Sequence, residues 1–188
     1  MPDTPLPDKP PPETLATRVV SESRIFRIEQ VDLRFSNGVE ASYERISGRG
    51  GGGGAVLVVP ISPDHELLLV REYAAGTERY ELTFPKGSLE RGEAPLDCAN
   101  REIREETGFA ARELKALRTL NLSPGYIRHA THIVLARGLY ESPLEGDEPE
   151  TLDLVRWPLE DARALLSEPT FSDARGIAAL LLLLDALG

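Results

Sequence analysis

Three glutamates, Glu102, Glu105 and Glu106, share one flank of a predicted short helix. At about 100° per residue, their side chains fall within an arc of about 100°, so the carboxylates are expected to face one point in space. Like charges at this spacing repel, and a bound divalent cation would reverse that repulsion. Oxygen ligands without a neighbouring His or Cys suit Mg²⁺ or Mn²⁺. The pattern predicts a metal site, with a solvated acidic helix face as the alternative.

Other residues of this helix are predicted to hold the carboxylates in place. Arg101 lies four residues before Glu105, so the two side chains are expected to form an ion pair. Leu96, Ala99 and Ile103 form an apolar stripe that would anchor the helix to a core. Gly108 suits the left-handed position that ends a helix.

The rest of the chain predicts the elements that position this helix. Buried or half-buried strands are expected at 55–61, 66–73, 80–84, 113–121, 131–138 and 153–157, and helices at 95–107, 159–167 and 172–187. Helices on both sides of a mixed sheet form an α/β/α sandwich, a fold of the α/β (α+β) class.

The segments before this core divide into three parts. Residues 1–16 are rich in proline and are predicted to be a disordered tail. Residues 17–48 are predicted to be an N-terminal β-hairpin around the turn at 36–38, which needs the domain or another subunit to cover it. Residues 49–54 contain five glycines and are predicted to be a flexible connection to the main domain, 55–188.

Composition narrows the class of protein. The 188 residues carry 41% hydrophobic side chains, which suits one compact domain with short appendages. The net charge of -10 argues against nucleic-acid binding. The run from Ile177 to Leu184 is too short to span a bilayer, so no membrane role is expected. The single cysteine, Cys98, and the absence of a leader sequence favour a cytoplasmic protein.

The segment from 87 to 109 fits the Nudix box, Gly-x5-Glu-x7-Arg-Glu-U-x-Glu-Glu-x-Gly-U, where U is a bulky apolar residue. The matching residues are Gly87, Glu93, Arg101, Glu102, Ile103, Glu105, Glu106, Gly108 and Phe109. The chain thus resembles the Nudix hydrolases, which cleave nucleoside diphosphates linked to another moiety. This resemblance implies the Nudix fold and adds the backbone carbonyl of Lys86 as a metal ligand.

Strings outside the box resemble the ADP compounds hydrolase (NudE-type) branch of that family. They lie at 35–39, 71–78, 144–150 and 155–159. The resemblance implies ADP-ribose, NADH and diadenosine polyphosphates of the Ap3A type as substrates. It also implies a homodimer in which the N-terminal strand region crosses to the partner.

Pyrophosphate hydrolysis requires charge neutralisation and a base that deprotonates water. Glu102 and Glu106 are predicted to be the principal metal ligands, with Glu105 joining or bridging and Arg101 orienting them. Glu93 is expected to start the helix and to be structural. In relatives that cleave ADP-ribose, the base is a glutamate from a mobile loop after the box helix. The acidic loop at 141–153 offers Glu148, with Glu150 second; a solvated charged loop is the alternative.

Substrate contacts are predicted at five positions. Arg71 could bind the pyrophosphate bidentately, although a surface ion pair with Glu72 or Glu78 is an equal alternative. Tyr43 could stack on adenine or simply pack. The relatives' pattern adds Glu81, Ser123 and Gly125.

Two other functions remain open. A Nudix-like domain can act as a non-catalytic ADP-ribose sensor, but such domains often lose box glutamates, and all of them are present here. A Nudix enzyme could also act on another nucleotide sugar or on a nucleoside triphosphate, because the box specifies pyrophosphate chemistry and not the attached group.

Overall fold

The computed structural model describes residues 9 to 48 and 54 to 187, and the chain divides into two compact units. The first unit contains the described residues up to 48 together with Ser123–Arg128. The second contains the other described residues. The predicted tail over residues 1 to 8 and the predicted connection over residues 49 to 53 lie outside the described residues.

The described residues form strands and helices with the following bounds. The strands are β1 (Glu13–Glu22), β2 (Phe26–Arg34), β3 (Glu40–Gly48), β4 (Ala55–Pro60), β5 (Glu66–Ala74), β6 (Arg79–Thr83), β7 (Lys86–Ser88), β8 (Phe109–Asn121), β9 (Ile127–Arg128), β10 (Ala130–Glu141) and β11 (Asp153–Pro158). The helices are α1 (Pro95–Thr107), a 3-10 helix (Leu159–Ser167) and α2 (Ala174–Leu187).

The first unit is a four-stranded sheet in the order β1-β2-β3-β9. Strands β1 to β3 are antiparallel, and β9 lies parallel to β3. The predicted turn between β2 and β3 is confirmed, because the Gly38 N–H donates to the Phe35 carbonyl at 2.9 Å and Gly38 has a φ of 83°. The prediction of a simple hairpin is incomplete. The Ser23 N–H donates to the Phe26 carbonyl at 2.8 Å, and this turn divides the predicted first strand into β1 and β2.

Two predicted boundaries before the core are wrong. Residues 13 to 16 belong to β1 rather than to the tail. The reason is that Pro12 is the last proline of the tail, so every residue of β1 has an N–H and the strand can pair with β2 from Glu13 onward. Gly54 is held in place rather than flexible. It has a φ of 97°, its carbonyl accepts the Leu89 N–H at 3.1 Å, and a Cβ there would overlap the Ala130 carbonyl oxygen.

The second unit is a sandwich of helices around two sheets, with strand orders β7-β4-β10-β8 and β11-β5-β6. Helix α1 packs Ile103 with Val56 and Leu68 on one side. Helix α2 packs Leu180 with Leu57 on the other side. Strand β4 is buried along its whole length because both of its faces are covered. The predicted α/β/α arrangement is therefore confirmed.

Helix α1 has its predicted bounds, 95 to 107. Its buried face differs from the prediction at two places: Leu96 is 38% exposed, and Cys98 is fully buried instead. Glu93 does not start the helix, because Ala94 is the N-cap and Pro95 the first helical residue. Among the described residues, no helix is both long and apolar enough to cross a membrane.

Candidate active site

Strand β7 and helix α1 bring the predicted metal ligands to one edge of the second unit. Lys86 pairs with Leu57 of the central strand β4, which fixes β7 against the core. Glu102 and Glu106 lie at the border of the buried face of α1, and they are only 7% and 8% exposed. The Glu105 side chain is more open, at 20%. The edge therefore combines two buried carboxylates with one that reaches solvent.

Arg101 neutralises the outer part of this acidic group. Its Nη1 donates to Glu102 Oε1 at 2.7 Å and to Glu105 Oε2 at 2.9 Å. Its Nε and Nη2 bind both oxygens of Glu93 at 2.9 and 3.0 Å. The predicted ion pair with Glu105 is thus confirmed, and these hydrogen bonds hold the pKa of Glu93 at about 2.

The expected convergence of the three helix carboxylates is only partial, because Glu102 and Glu105 meet at Arg101 Nη1 whereas Glu106 faces the backbone of Lys86. Within residues 9 to 48 and 54 to 187, no group of three His, Cys, Asp or Glu side chains has the geometry of a metal site. The physical reason is that the Arg101 guanidinium draws Glu102 and Glu105 to itself. Glu106 turns instead to the backbone of Lys86, whose N–H donates to Glu106 Oε1 at 3.3 Å.

Glu106 nevertheless has the surroundings of a cation ligand. Its Oε2 is buried and makes no hydrogen bond with the described residues. Burial raises the pKa of Glu106 to about 8, and burial also raises the pKa of Glu102. Gly87 allows the Glu102 carboxylate to lie close to the backbone, because a Cβ at this position would overlap that carboxylate. A buried carboxylate with a free oxygen is stabilised by a positive charge, so these residues fit a divalent cation.

The acidic loop at 142–152 forms the other wall of an open pocket of about 670 Å³. Its lining residues are Lys86, Gly87, Ser88, Glu90, Arg101, Glu102, Glu105, Glu145, Gly146, Asp147 and Glu148. Glu148 Oε2 lies against Gly146, at a place where a Cβ would overlap it, and the Glu105 side chain is next to the same place. The charge of Glu148 also contributes to the raised pKa of Glu102, after burial and the charge of Glu105. Glu148 therefore lies on the same pocket as the box carboxylates.

The Glu150 carboxylate binds a tyrosine on a neighbouring strand. Its Oε1 accepts a hydrogen bond from the hydroxyl of Tyr80 at 2.8 Å. The Tyr80 ring packs edge-on against Tyr73, with ring centroids 5.6 Å apart. The two candidate bases, Glu148 and Glu150, therefore differ in their hydrogen bonds, although both line a second open pocket together with Glu105 and Glu106.

The predicted substrate residues of the second unit have structural partners. Glu81 is 8% exposed, and its Oε1 accepts a hydrogen bond from Arg79 Nε at 2.9 Å, which lowers the pKa of Glu81. Arg71 is exposed on β5, and its charge lowers the pKa of Glu168 after the hydrogen bonds from Thr170. Its predicted pairing with Glu72 or Glu78 is not among the contacts of the described residues.

The other predicted substrate residues lie in the first unit. Tyr43 is 47% exposed on β3, and its ring lies 6.3 Å from that of Phe35. The Ser123 carbonyl accepts the N–H groups of Tyr126 and Ile127, at 3.1 and 2.8 Å, in a turn that contains Gly125. Their roles in substrate binding stay predictions.

Two features of the site were missed by sequence reasoning. The Lys86 ammonium forms an ion pair with Glu72, and the Tyr80 hydroxyl binds Glu150. For the ion pair, the only signal in the sequence was the position of Lys86 next to the box glycine. That position indicated a role for the backbone carbonyl of Lys86 rather than for its ammonium. No sequence signal links Tyr80 to Glu150, because the contact joins residues 70 positions apart.

The fold and this site define a class of protein. The chain belongs to the Nudix hydrolase family. The NUDIX domain matches residues 53–180, and the NudE-type Nudix hydrolase N-terminal domain matches residues 12–45.

Individual relatives narrow the comparison. The chain is 48% identical over 176 residues to the ADP compounds hydrolase NudE of Escherichia coli strain K12, which covers 94% of this chain and 93% of the relative. It is 29% identical over 170 residues to the ADP-ribose pyrophosphatase of Bacillus subtilis strain 168, over 89% of this chain and 90% of the relative. A crystal structure of an ADP compounds hydrolase superimposes with a TM-score of 0.85 at 45% identity and covers 96% of both chains.

Proposed function

We propose that this protein hydrolyses the pyrophosphate bond of ADP-linked compounds, such as ADP-ribose, NADH and Ap3A, and releases AMP and a phosphorylated co-product. The observation that carries the proposal is the 48% identity to an ADP compounds hydrolase over 94% of the chain. The relation to an ADP-ribose pyrophosphatase supports the same class of substrate. The complete set of box glutamates favours an enzyme over a non-catalytic sensor.

The proposed cofactor is Mg²⁺, with Mn²⁺ as a possible substitute. Glu102, Glu105, Glu106 and the backbone carbonyl of Lys86 are the proposed ligands, and the free Oε2 of Glu106 is the observation that supports them. When bound, the cation would neutralise charge on the phosphate oxygens and lower the pKa of water. Arg101 keeps Glu102 and Glu105 side by side at the mouth of the pocket.

Glu148 is the proposed general base. Glu148 lines both pockets that the box glutamates line and makes no hydrogen bond with the described residues, whereas Glu150 lines only one of them and its Oε1 is bound by Tyr80. In this scheme an oxygen of Glu148 takes the proton from the attacking water, and movement of the loop towards the box excludes bulk water. The variant Glu148→Gln is expected to lower kcat by about 10²-fold or more with the fold intact. A loss of kcat of no more than about threefold would assign the role of general base to Glu150 or to a box glutamate.

The assembly and location are part of the same proposal. We infer a homodimer built through the first unit, whose sheet exposes large apolar side chains. They include Val19, Val20, Ile25, Phe26, Val39 and Tyr43. Residues 55–188 are the proposed hydrolase domain, and a single free cysteine, Cys98, is consistent with the cytoplasm. Light scattering of the purified chain would show the dimer directly.

The test of the activity is a substrate panel. Purified protein is incubated with ADP-ribose, NADH, Ap3A, ADP-glucose or dATP, in Mg²⁺ or in EDTA, and AMP and its co-product are measured by chromatography. We expect AMP from the ADP compounds in Mg²⁺ and none in EDTA. The variant Glu106→Gln, with its fold checked by circular dichroism, controls for contaminating hydrolases. Preference for dATP would change the proposed substrate class to nucleoside triphosphates. No turnover of any of these compounds would refute the proposal that the protein is an enzyme.

A further inference from the structure

The hydrogen bond between Tyr80 and Glu150 joins a sheet to the acidic loop. Tyr80 lies on β6, and its ring makes an edge-on contact with that of Tyr73. Its hydroxyl donates to Glu150 Oε1 at 2.8 Å. Glu150 lies two residues after Glu148 and three before the start of β11. The bond thus connects the far end of the loop to strand β6.

The near end of the loop is anchored separately, at the end of α1. The Ser142 N–H donates to the Gly108 carbonyl at 2.9 Å, and the Leu144 N–H donates to the Arg104 carbonyl at 3.1 Å. Arg104 Nε donates back to the Ser142 carbonyl at 3.0 Å. Between these anchors and Glu150, residues 145 to 149 make no hydrogen bond with other described residues. The position of Glu148 therefore depends on the two ends of its loop.

We propose that Tyr80 is a positioning residue that acts through Glu150 to hold the acidic loop so that Glu148 faces the pocket. This inference rests on the proposed function of Glu148. It assigns Glu150 to the positioning of the loop rather than to proton transfer. Removal of the Tyr80 hydroxyl leaves the ring in contact with Tyr73 but leaves the far end of the loop held only where β11 begins, so Glu148 is in place for a smaller fraction of the time.

The first experiment compares Tyr80→Phe with the matched variant Tyr73→Phe. The Tyr73 hydroxyl makes no hydrogen bond within the described residues, and Tyr73 is 51% exposed, against 44% for Tyr80. With ADP-ribose in Mg²⁺, Tyr80→Phe is expected to lower kcat about fivefold, the effect of one lost hydrogen bond, and to change KM less than about twofold. Tyr73→Phe is expected to retain wild-type kcat. An unchanged kcat in Tyr80→Phe would overturn the proposal.

The second experiment tests whether Tyr80 acts through Glu150. In a double-mutant cycle with Glu150→Ala, each single variant and the double variant are expected to show the same loss of kcat, because all three break the same bond. A loss of about 10²-fold or more in Glu150→Ala alone would assign the chemistry to Glu150 and overturn the proposal. Additive losses would also overturn it, since the two residues would then act independently.

Hydrogen–deuterium exchange separates this inference from the proposed function, because it needs no substrate. In peptides that cover residues 142–153, the hydrogen-bonded amides at the ends of the loop, such as those of Ser142 and Leu144, are expected to exchange faster in Tyr80→Phe than in the wild type or in Tyr73→Phe. Unchanged exchange would show that Tyr80 does not hold the loop, even if the enzyme is active. Faster exchange together with full activity of Glu148→Gln would instead refute the proposed base and leave the loop contact intact.

Discussion

The ion pair of Glu93 and Arg101 is expected to be a main stabilising contact of the box segment. Both Glu93 oxygens bind the guanidinium, and Oε2 also accepts the Glu90 N–H at 2.9 Å. The side chains of Glu93 and Arg101 are only 14% and 24% exposed. Glu93→Gln keeps the shape and one accepting oxygen, removes the charge and replaces the other acceptor by a donor. The change therefore tests the charge together with one accepted hydrogen bond, and the dependence on pH isolates the charge.

The magnitude follows from the pKa of Glu93, which falls from 4.5 to about 2 in the folded protein. A difference of this size corresponds to about 3 kcal/mol at neutral pH, and partial solvent screening reduces the expected loss to about 2 kcal/mol. Because the pKa is lowered on folding, this stability is fully present above pH 4.5. It disappears as the pH falls from 4.5 towards 2, since the carboxyl is then protonated in both states.

The assay is urea unfolding of the wild type and of Glu93→Gln in EDTA, at several pH values between 7 and 3. The variant is expected to be less stable by about 2 kcal/mol at pH 7, with a smaller difference below pH 4.5. Glu90→Gln is the matched control, because Glu90 is exposed and forms no ion pair with the described residues. A difference between wild type and Glu93→Gln that stays constant from pH 7 to pH 3 would refute the electrostatic account.

Two further substitutions test the packing around the site. Gly87→Ala places a Cβ on the Glu102 carboxylate and is expected to lower kcat for AMP release by about 10²-fold or more while the circular dichroism spectrum is unchanged; near-wild-type activity would show that Glu102 has room to move. Asp173→Ala removes the carboxylate that accepts the Arg175 N–H at 2.8 Å at the start of α2, and thermal unfolding is expected to show a loss of about 1 kcal/mol. Asp173→Asn, which can still cap the helix, is expected to lose less.

Sequence periodicity predicted both α-helices and most strands of the second unit, but it gave no strand at 86 to 88 and began β8 at 113 rather than at 109. Helix α1 has the predicted bounds because Pro95 can only begin a helix and Gly108 adopts the left-handed φ of 79° that ends one. Strand β4 was predictable because six consecutive buried residues, 55 to 60, form an uninterrupted apolar run. In the first unit, the turn at Ser23 was missed because Ser23 to Ile25 contain neither Gly nor Pro.

Side-chain pairing was harder to predict than the elements. A helical wheel gives the direction of Glu102, Glu105 and Glu106 but not their partners. Arg101 was expected to form an ion pair with Glu105, and in the structure it binds Glu93 and Glu102 as well. A guanidinium has five donors, so one arginine can serve several carboxylates at once. The contact of Tyr80 with Glu150 depends on how a loop returns to a sheet, and short-range patterns contain no information about that.

Two glutamates of the box, Glu93 before α1 and Glu106 within it, have opposite effects on stability. Glu93 has a lowered pKa, so its ionised form stabilises the fold at neutral pH. Glu106 has a pKa raised to about 8, so the fold loses stability as the pH rises from 4.5 through 8 and this carboxyl must ionise. A helix selected only for stability would not bury Glu106 with a free oxygen. Its burial fits the proposed cation, which would bind the ionised form, and the Glu93–Arg101 ion pair offsets part of the loss.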